Sequence, residues 1–425
     1  MPVHTAPSWL RSLTHPDLRS LLLLGFSSGL PLALCGSTLQ AWLTTEGVSL
    51  QALGWLTLVG LPYTWKFVWA PFMDRFVVPF LGRRRGWIFL TQATLTGLIL
   101  TLGQTPVASQ PLHTALLAFL LAFVSASQDI VIDAYRADLL RPQARGPGAA
   151  ASVLGYRLAM LASGALALIV AGYWGWARTY TLMATLMGLG LVTTVRAPEP
   201  EQRESGPHSL RQAVLEPLRE FLQRPQALTW LGVILLFKLG DAFAGALSST
   251  FLIRGVGFSI TEVGMVNKGV GLFATLLGAT LGGALMTRWG LYASLWRFGL
   301  LQNAVTLCFC ALALKGHDLG WMVGAVFLEN LGSGMGTTAF TALLMSLCHA
   351  RFSATQFALL SALAAMGRVY VGPLSGFLAA QWGWPLFYLF ATLVGVPALL
   401  LLGRLRPALL RLDAIDGEAT PQIGK

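Results

Sequence analysis

Long apolar stretches recur along the whole chain and are separated by short polar segments. From Ser20 to Arg404 these stretches repeatedly exceed twenty residues, the length that an α-helix needs to cross the hydrocarbon core of a bilayer. The pattern predicts an all-α polytopic membrane protein with twelve transmembrane helices. Their predicted bounds are 20–44, 52–73, 86–104, 112–139, 149–172, 178–196, 227–252, 262–286, 292–314, 319–347, 353–380 and 384–404.

One long polar segment divides the predicted helices into two sets of six. Within it, Leu210, Val214, Leu218 and Leu222 recur every four residues, a spacing typical of an amphipathic helix on a membrane surface. We therefore predict an N-terminal six-helix half (1–196), a cytoplasmic linker with an amphipathic helix (197–226), a C-terminal six-helix half (227–404) and a cytoplasmic tail (405–425).

Composition and charge agree with a membrane protein. Of the 425 residues, 55% are hydrophobic and 11% are charged, against about 25% charged in soluble domains. The formal net charge is +11, but 21 of the 29 lysines and arginines fall at the termini and in the loops on one side of the predicted membrane. This bias predicts cytoplasmic termini. It accounts for the positive charge without a nucleic-acid partner.

The second set of helices repeats features of the first at an offset near 210 residues. Gly47 to Gly54 resembles Gly257 to Gly264, and Gly155-Tyr-Arg157 corresponds to Gly367-Arg-Val369. The fifth and eleventh helices both end in Trp-Gly-Trp. Two six-helix halves in parallel order describe the major-facilitator arrangement, in which the substrate site lies between the halves near the bilayer midplane.

Nine ionisable residues lie well inside the predicted helices, away from the helix ends, where each costs about 2.5–3.5 kcal/mol on insertion scales. Three of the four acidic ones are candidates for proton coupling. Asp129 and Asp133 lie on one face of the fourth helix, followed by Arg136; Glu329 occupies the related place in the second half. The alternative for the aspartates is a permanent salt bridge to Arg136 or Arg157.

The cations predict an anionic substrate, because carboxylate or phosphate groups are their natural partners. Lys66, Arg157, Lys268 and Arg368 lie in four different helices. Lys238 and Asp241 are further candidates, although a spacing of three residues also lets them neutralise each other. Amide and aromatic groups suited to sugar hydroxyls and ring faces complete the predicted substrate site: Gln40, Trp42, Gln128, Tyr156, Asn267, Asn330, Gln356 and Tyr370. Trp42 could equally be an interface anchor.

The loop between the second and third helices contains Asp74-Arg75 and then Gly82-Arg83-Arg84-Arg85-Gly86. It resembles the loop signature of major-facilitator transporters, which predicts a gating role for Asp74, Arg75, Arg83 and Arg84. In this chain Gly82 follows Asp74 by eight residues instead of about three. The positive-inside bias alone explains the arginines equally well.

Other chemistry finds little support in the sequence. The six histidines are scattered, which argues against a metal site, and no GxxxxGK[ST] run is present to bind a nucleotide. We expect no cofactor and a monomeric transporter. A membrane enzyme is the rival class, but the loops on the far side of the membrane are short and nearly uncharged.

Several polar strings resemble the AmpG family of bacterial muropeptide permeases. They include Gly25-Phe-Ser-Ser-Gly-Leu-Pro-Leu-Ala-Leu34, Leu39-Gln-Ala-Trp42, Ser125-Ala-Ser-Gln-Asp-Ile-Val131, Ser152-Val-Leu-Gly-Tyr-Arg157, Lys238-Leu-Gly-Asp-Ala-Phe243 and Phe352-Ser-Ala-Thr-Gln-Phe357. The resemblance implies an inner-membrane importer of anhydromuropeptides (GlcNAc-anhydroMurNAc and its peptides), driven by the proton gradient and serving peptidoglycan recycling.

The same resemblance implies a connection to β-lactamase induction and so to antibiotic resistance. Charge alone would also allow another organic anion, such as an acyl-CoA or a sugar phosphate, and this is the alternative function.

Overall fold

The computed structural model of the protein describes residues 16–140, 145–200, 219–348 and 353–411. In these ranges the chain is helical, and each of the twelve predicted spans coincides with helix. The all-α prediction is therefore confirmed. Most of the predicted amphipathic helix of the linker and the tail from residue 412 lie outside the described residues.

The first six helices, α1 to α6, follow the predicted bounds within a few residues. α1 comprises Pro16–Cys35 and Ser37–Thr45; α2 runs in short pieces from Leu50–Leu56 to Ala70–Arg75; α3 is Arg83–Gln104; α4 is Pro111–Leu139; α5 comprises Arg145–Leu161, a π-helical turn Ala162–Leu166 and Ala167–Trp174; α6 is Trp176–Arg196.

The second six helices, α7 to α12, include two pairs that are continuous except at one glycine. α7 starts with Ala227–Phe237 and Leu239–Ala246 and ends in the π-helical turn Phe251–Val256; α8 begins at Ile260–Val263; α8 and α9 share Gly271–Lys315, broken at Gly290; α10 is Leu319–Ser346; α11 and α12 share Ser353–Val394, broken at Gly383, and α12 continues as Val396–Arg404.

Neighbour contacts show that the chain reverses at Gly290. α8 and α10 meet in ascending order along both helices, whereas α9 and α10 meet in opposite order. The contacts are Gly278 with Leu331, Gly282 with Met335, Val305 with Gly332 and Gln302 with Gly336. Hence α8 is parallel and α9 antiparallel to α10, and the single helix Gly271–Lys315 represents two spans.

Seven segments of the described chain are long and apolar enough to cross a membrane. They contain nine of the twelve predicted spans, because Ile260–Lys315 and Leu359–Arg404 contain two each. The spans α2, α6 and α10 do not satisfy the same test of length and composition. For α2 the cause is evident, because the helix is broken into short pieces.

The internal repeat extends to the backbone of the turns. Three pairs of glycines have positive φ, a conformation that glycine adopts without a steric cost. The pairs are Gly47 with Gly257, Gly82 with Gly290 and Gly175 with Gly383. Two residues after the first pair, Ser49 and Ser259 each cap the following helix through their side chains. The repeated sequence therefore specifies the same local turns twice.

By their internal contacts, the described helices group into two compact units. The first consists of the described residues within 16–48, 58–200 and 259–265; the second consists of those within 49–57, 219–258 and 266–411. Two helices therefore have residues in both units. The start of α2 belongs to the second unit and the rest to the first, with the boundary at the 3₁₀ turn Thr57–Gly60. The start of α8 belongs to the first unit and the rest to the second, with the boundary in the π-helical turn Gly264–Val270. Irregular helix is thus found in both repeats at the same place.

Close packing of α1 on α5 organises the first unit. A Cβ atom added at Gly25 would collide with the carbonyl of Ser152, and one added at Gly155 would collide with the carbonyl of Leu22. Small residues at such an interface let the helix backbones approach closely. This contact holds α1 and α5 beside α4, which carries the acidic residues of the candidate site.

Candidate functional site

In the first unit, Asp129 is the centre of a polar cluster contributed by α1, α2 and α4. The Ser28 hydroxyl donates a hydrogen bond to Asp129 Oδ1, and the positive charge of Lys66 acts on the same carboxylate. Asp133 lies one turn further along α4, with its side chain 56% exposed and paired with Arg136 at 3.1 Å. The two aspartates therefore share one face of α4 but have different surroundings: Asp129 accepts from Ser28, whereas Asp133 is exposed and ion-paired.

One buried polar side chain next to Asp129 on α4 has no hydrogen-bond partner among the described residues. Both amide atoms of Gln128 are unpaired, whereas the buried Ser125 hydroxyl interacts with Tyr63. Buried polar groups are paired in the great majority of cases, so such groups need an explanation such as bound water. Tyr156 is half-buried and lies within electrostatic reach of Asp129, and Arg157 next to it is exposed. Of the sequence-predicted residues, Lys66 and Tyr156 therefore act on Asp129, and Gln128 precedes it on α4.

Trp42 lies in an aromatic cluster of the first unit. It is 5% exposed, and its ring stacks on Trp176 at 5.5 Å and contacts Tyr180 at 5.2 Å. Its indole N–H donates to Glu46 at 3.3 Å. Gln40, on the same helix, is also buried. The indole thus has its partners inside the protein.

In the second unit, Lys238 is the centre of a buried network. It is 8% exposed, and Nζ lies 3.3 Å from Asp241 Oδ2, 3.5 Å from Gln302 Oε1 and 3.4 Å from the Ser333 carbonyl oxygen. The Ser333 hydroxyl donates to Asp241 at 3.3 Å. Each charge thus has partners on other helices, and the pairing of Lys238 with Asp241 is the observed arrangement.

Two further charged residues adjoin this network. Glu329 on α10 and Arg368 on α11 both interact electrostatically with Asp241. The second unit therefore gathers two carboxyl groups, one buried lysine and one exposed arginine from three helices. Sequence reasoning missed Gln302 and Ser333. A signal for Gln302 was present: it lies 210 residues after Gln92, which bridges Ser27 and Thr194 in the first unit.

Replacing Lys238 by methionine should destabilise the protein strongly. The change leaves Asp241 buried without its counter-charge, and breaking a buried pair costs about 3–5 kcal/mol of unfolding free energy. The double variant Lys238→Met/Asp241→Asn should recover most of the loss. Unfolding midpoints in detergent measure both effects.

A matched control is the pair Lys315 and Asp318, which has the same sequence spacing but is exposed. Its atoms lie 2.9 Å apart with side chains 45% and 37% exposed, and the hydrogen bond from Lys315 lowers the pKa of Asp318. Since exposed pairs contribute little, Lys315→Met should leave the midpoint nearly unchanged. Equal losses in the two single variants would contradict the buried network.

Four cations in the membrane helices have no ion-pair partner within 4.0 Å in the part of the chain that the structure describes. They are Lys66, Arg157, Lys268 and Arg368. Lys268 lies in the π-helical turn Gly264–Val270, an irregularity frequent at functional sites. Its neighbour Asn267 donates to Ser249 at 3.4 Å. Asn330 is engaged inside the unit, since it accepts from Thr275 and donates to the Val326 carbonyl.

Gln356 belongs to a second polar cluster of the same unit. Its amide donates to Glu220, whose carboxylate also binds Arg224 at 2.7 Å. Arg224 donates in turn to the carbonyl of Leu347 at the end of α10. Gln356 thus ties the segment before α7 to α11. Tyr370 is half exposed, and the structure gives it no hydrogen bond among the described residues.

The candidate gating residues lie around the N-terminus of α3. Arg75 is exposed at the end of α2, and Arg83 is half-buried; the side chain of Asp74 lies outside the described part. Arg84 pairs with Asp138 at 2.8 Å. The Glu199 carboxylate accepts from the backbone N–H groups of Arg84 and Arg85 at 2.8 and 3.1 Å. Asp138 and Glu199, which sequence reasoning missed, thus fix this loop.

Replacing Glu199 by alanine should loosen the start of α3. Two backbone donors lose their acceptor, and loss of a helix cap typically costs about 1 kcal/mol of unfolding free energy. Amide hydrogen exchange at residues 84–86 should accelerate accordingly. Gln110→Ala is the control, because Gln110 precedes α4 without a side-chain cap; comparable acceleration at the start of α4 in that variant would argue against capping by Glu199.

Among the described residues, no three histidine, cysteine, aspartate or glutamate side chains come together to hold a metal ion. The arrangement is therefore one of charges and amides inside membrane helices. Such a constellation binds and releases charged solutes or protons. It is the arrangement expected of a secondary transporter.

Comparisons with known proteins agree with this class. The sequence matches the Major Facilitator Superfamily over residues 21–266 and 236–421. Among solved structures, the nucleoside transporter NupG superposes with a TM-score of 0.72 at 10% identity, covering 91% of this chain and 98% of that one. This likeness concerns the fold alone. The chain is a member of the Major Facilitator Superfamily.

Similarity to two sequence relatives narrows the assignment. The anhydromuropeptide permease of Escherichia coli K12 is 52% identical over 395 residues, which cover 93% of this chain and 80% of that protein. The putative transporter AmpG 4 of Rickettsia conorii is 32% identical over 91% of this chain and 95% of its own length. Within the superfamily, the chain belongs to the AmpG family of permeases and transporters, as the polar sequence strings predicted.

Proposed function

We propose that this protein is a proton-coupled transporter that imports anhydromuropeptides, GlcNAc-anhydroMurNAc and its peptides, from the periplasm to the cytoplasm. The proposal rests on the E. coli permease, which is 52% identical and bears that substrate in its name. The observation in the chain itself is the set of four membrane cations that have no carboxylate within 4.0 Å among the described residues. Peptide carboxylates of the substrate are their proposed ion-pair partners.

Substrate contacts are proposed for these cations and for the polar groups beside them. In the first unit Lys66 and Arg157 bind carboxylates, while Tyr156 and Gln128 offer hydroxyl and amide groups. In the second unit Lys268 and Arg368 bind carboxylates and Asn267 offers an amide. Four further candidates have their partners inside the second unit: Lys238, Asp241, Gln356 and Asn330. Their proposed role is to hold the substrate-binding residues in position.

Asp129 is the proposed proton carrier of the first unit. In the unloaded site Lys66 balances its negative charge. When a substrate carboxylate takes Lys66 as its partner, Asp129 loses this counter-charge inside the membrane, where an isolated ion is costly, and takes up a proton. Substrate and proton therefore bind together. Glu329 has the corresponding role beside Asp241 in the second unit.

Orientation and setting follow from the charge bias of the loops. We propose a monomer in the bacterial inner membrane with both termini in the cytoplasm, without a cofactor or an enzymatic step. Import of cell-wall fragments by such a protein would link it to peptidoglycan recycling and β-lactamase induction.

Uptake into proteoliposomes tests the function. Purified protein should accumulate labelled anhydromuropeptide when the lumen is more alkaline than the outside. Unlabelled anhydromuropeptide should compete, whereas an acyl-CoA or a sugar phosphate should not. Competition by those anions together with absence of muropeptide binding would favour the alternative substrate, and conversion of the labelled compound in detergent would favour an enzyme.

A further inference from the structure

Five exposed arginines lie around the α8–α9 turn and the end of α12 in the second unit. They are Arg288, Arg297, Arg404, Arg406 and Arg411. Two of them rest on aromatic rings: the Arg297 guanidinium lies 4.5 Å from the centre of the Trp289 ring, and that of Arg406 lies 5.7 Å from the Tyr292 ring. We refer to the five arginines with these two rings as the basic aromatic surface.

Apolar packing beneath the basic aromatic surface connects the α8–α9 turn with the segment after α12. Leu291 and Leu295 at the start of α9 share one buried apolar cluster with Leu405 and Leu409 after α12. Tyr292 packs against the same cluster and carries Arg406 on its ring. The α8–α9 turn and the segment 406–411 are therefore held next to each other as one surface.

The same turn in the first unit uses its arginines differently. There Arg84 pairs with Asp138, and Arg85 donates to the carbonyl oxygens of Thr194 and Val195. In the described part of the second unit, no ion pair involves any of the five arginines. Of its four described acidic residues, Glu220 binds Arg224, Asp241 binds Lys238, Asp318 binds Lys315, and Glu329 interacts with Asp241. Within the described residues, the basic aromatic surface therefore has positive charge that no ion pair compensates.

The place of the basic aromatic surface in the fold indicates which kind of partner supplies negative charge to its arginines. The surface lies where α8, α9 and α12 end, and these helices are long and apolar enough to cross a bilayer. Trp289 and Trp296 are exposed there, and tryptophan is enriched at the level of lipid headgroups. A guanidinium resting on an aromatic face keeps its N–H edge free for a bidentate contact with phosphate.

We infer that the basic aromatic surface binds the headgroup phosphate of an anionic phospholipid. The lipid belongs to the leaflet on the side of the membrane where both chain termini lie. Arg297 and Arg406, oriented by Trp289 and Tyr292, contact the phosphate oxygens. The other three arginines add positive charge around the headgroup. The lipid acyl chains lie along the apolar surface of the helices.

Native mass spectrometry of the protein in neutral detergent tests this inference. Wild-type protein titrated with phosphatidylglycerol should retain the lipid, and phosphatidylcholine should be retained far less. Since each arginine near an anionic headgroup contributes about fivefold in binding, the triple variant Arg288→Gln/Arg297→Gln/Arg406→Gln should bind phosphatidylglycerol more than tenfold more weakly. Size-exclusion profiles establish that each variant is folded.

Two further variants separate the lipid site from net charge. Arg178→Gln/Arg196→Gln/Arg219→Gln removes three exposed arginines elsewhere and should retain the lipid as wild type does. Arg297→Lys/Arg406→Lys keeps the charge but loses the planar fork and should bind with intermediate strength. Equal retention of the two lipids, unchanged binding by the first triple variant, or displacement of the lipid by millimolar inorganic phosphate would overturn the inference.

Discussion

Asp129→Asn should abolish accumulation of substrate against its gradient while leaving exchange across the membrane intact. Asparagine preserves the hydrogen bond from Ser28 but cannot carry a proton. For one proton per substrate, each pH unit of gradient supports about tenfold accumulation, so the accumulation ratio should fall to about one. Proteoliposome uptake with an imposed pH gradient measures this, and counterflow of labelled substrate without a gradient establishes that binding and folding remain.

Asp133→Asn is the matched control on the same face of α4. Because Asp133 is exposed and paired with Arg136, its loss should leave gradient-driven accumulation near the wild-type level. Normal accumulation by Asp129→Asn would show that the proton is carried elsewhere. A defect confined to Asp133→Asn would transfer the coupling role to that residue.

A large side chain at Gly155 should prevent α1 and α5 from packing closely in the first unit. In Gly155→Leu the new Cβ atom would collide with the Leu22 carbonyl oxygen, so that the backbones of α1 and α5 have to separate. Overpacking costs about 1–3 kcal/mol and occasionally more, and a backbone obstacle lies at the upper end. We expect a large fall in the unfolding midpoint in detergent and a low yield of folded protein.

Gly97 on α3 provides the comparison. A Cβ atom there meets nothing within 4 Å, and a helix interior gains about 0.5–1 kcal/mol when glycine is replaced by alanine. Gly97→Ala should therefore equal or slightly exceed wild type in stability. If Gly155→Leu unfolds at the wild-type temperature, the close approach of α1 and α5 is not what stabilises the unit.

Hydrophobic length was sufficient to predict the helices, because each crossing of a bilayer imposes about twenty apolar residues. The repeat could also be predicted, since Gly47 and Gly257 are read directly from the sequence. The breaks within α2 and α8 could not. A 3₁₀ or π-helical turn differs from an α-helix by the partner of one hydrogen bond, and tertiary contacts decide that choice at Thr57–Gly60 and Gly264–Val270.

The candidate site was predictable in its charges but not in its pairings. Asp129 and Asp133 are equivalent by spacing, and only the packing of α1 on α4 buries one of them beside Ser28. Neutral polar residues such as Gln302 and Ser333 carry no charge that would mark them as site residues in an apolar sequence. They acquire a role because α9 and α10 bring them to Lys238, a contact between residues distant in sequence.

The positive-φ glycines of the turns have a consequence for the order in which the helices insert into the membrane and assemble. Added Cβ atoms at Gly47, Gly175, Gly257 and Gly383 would meet nothing within 4 Å, so no distant residue packs against these glycines, and each turn depends on the positive φ of its own glycine. Each helical hairpin can therefore form as soon as its own residues have been synthesised. The interlocking of Gly25 with α5 requires more than a hundred further residues. Insertion of hairpins thus precedes assembly, and the N-terminal helix must wait in the membrane for its partner.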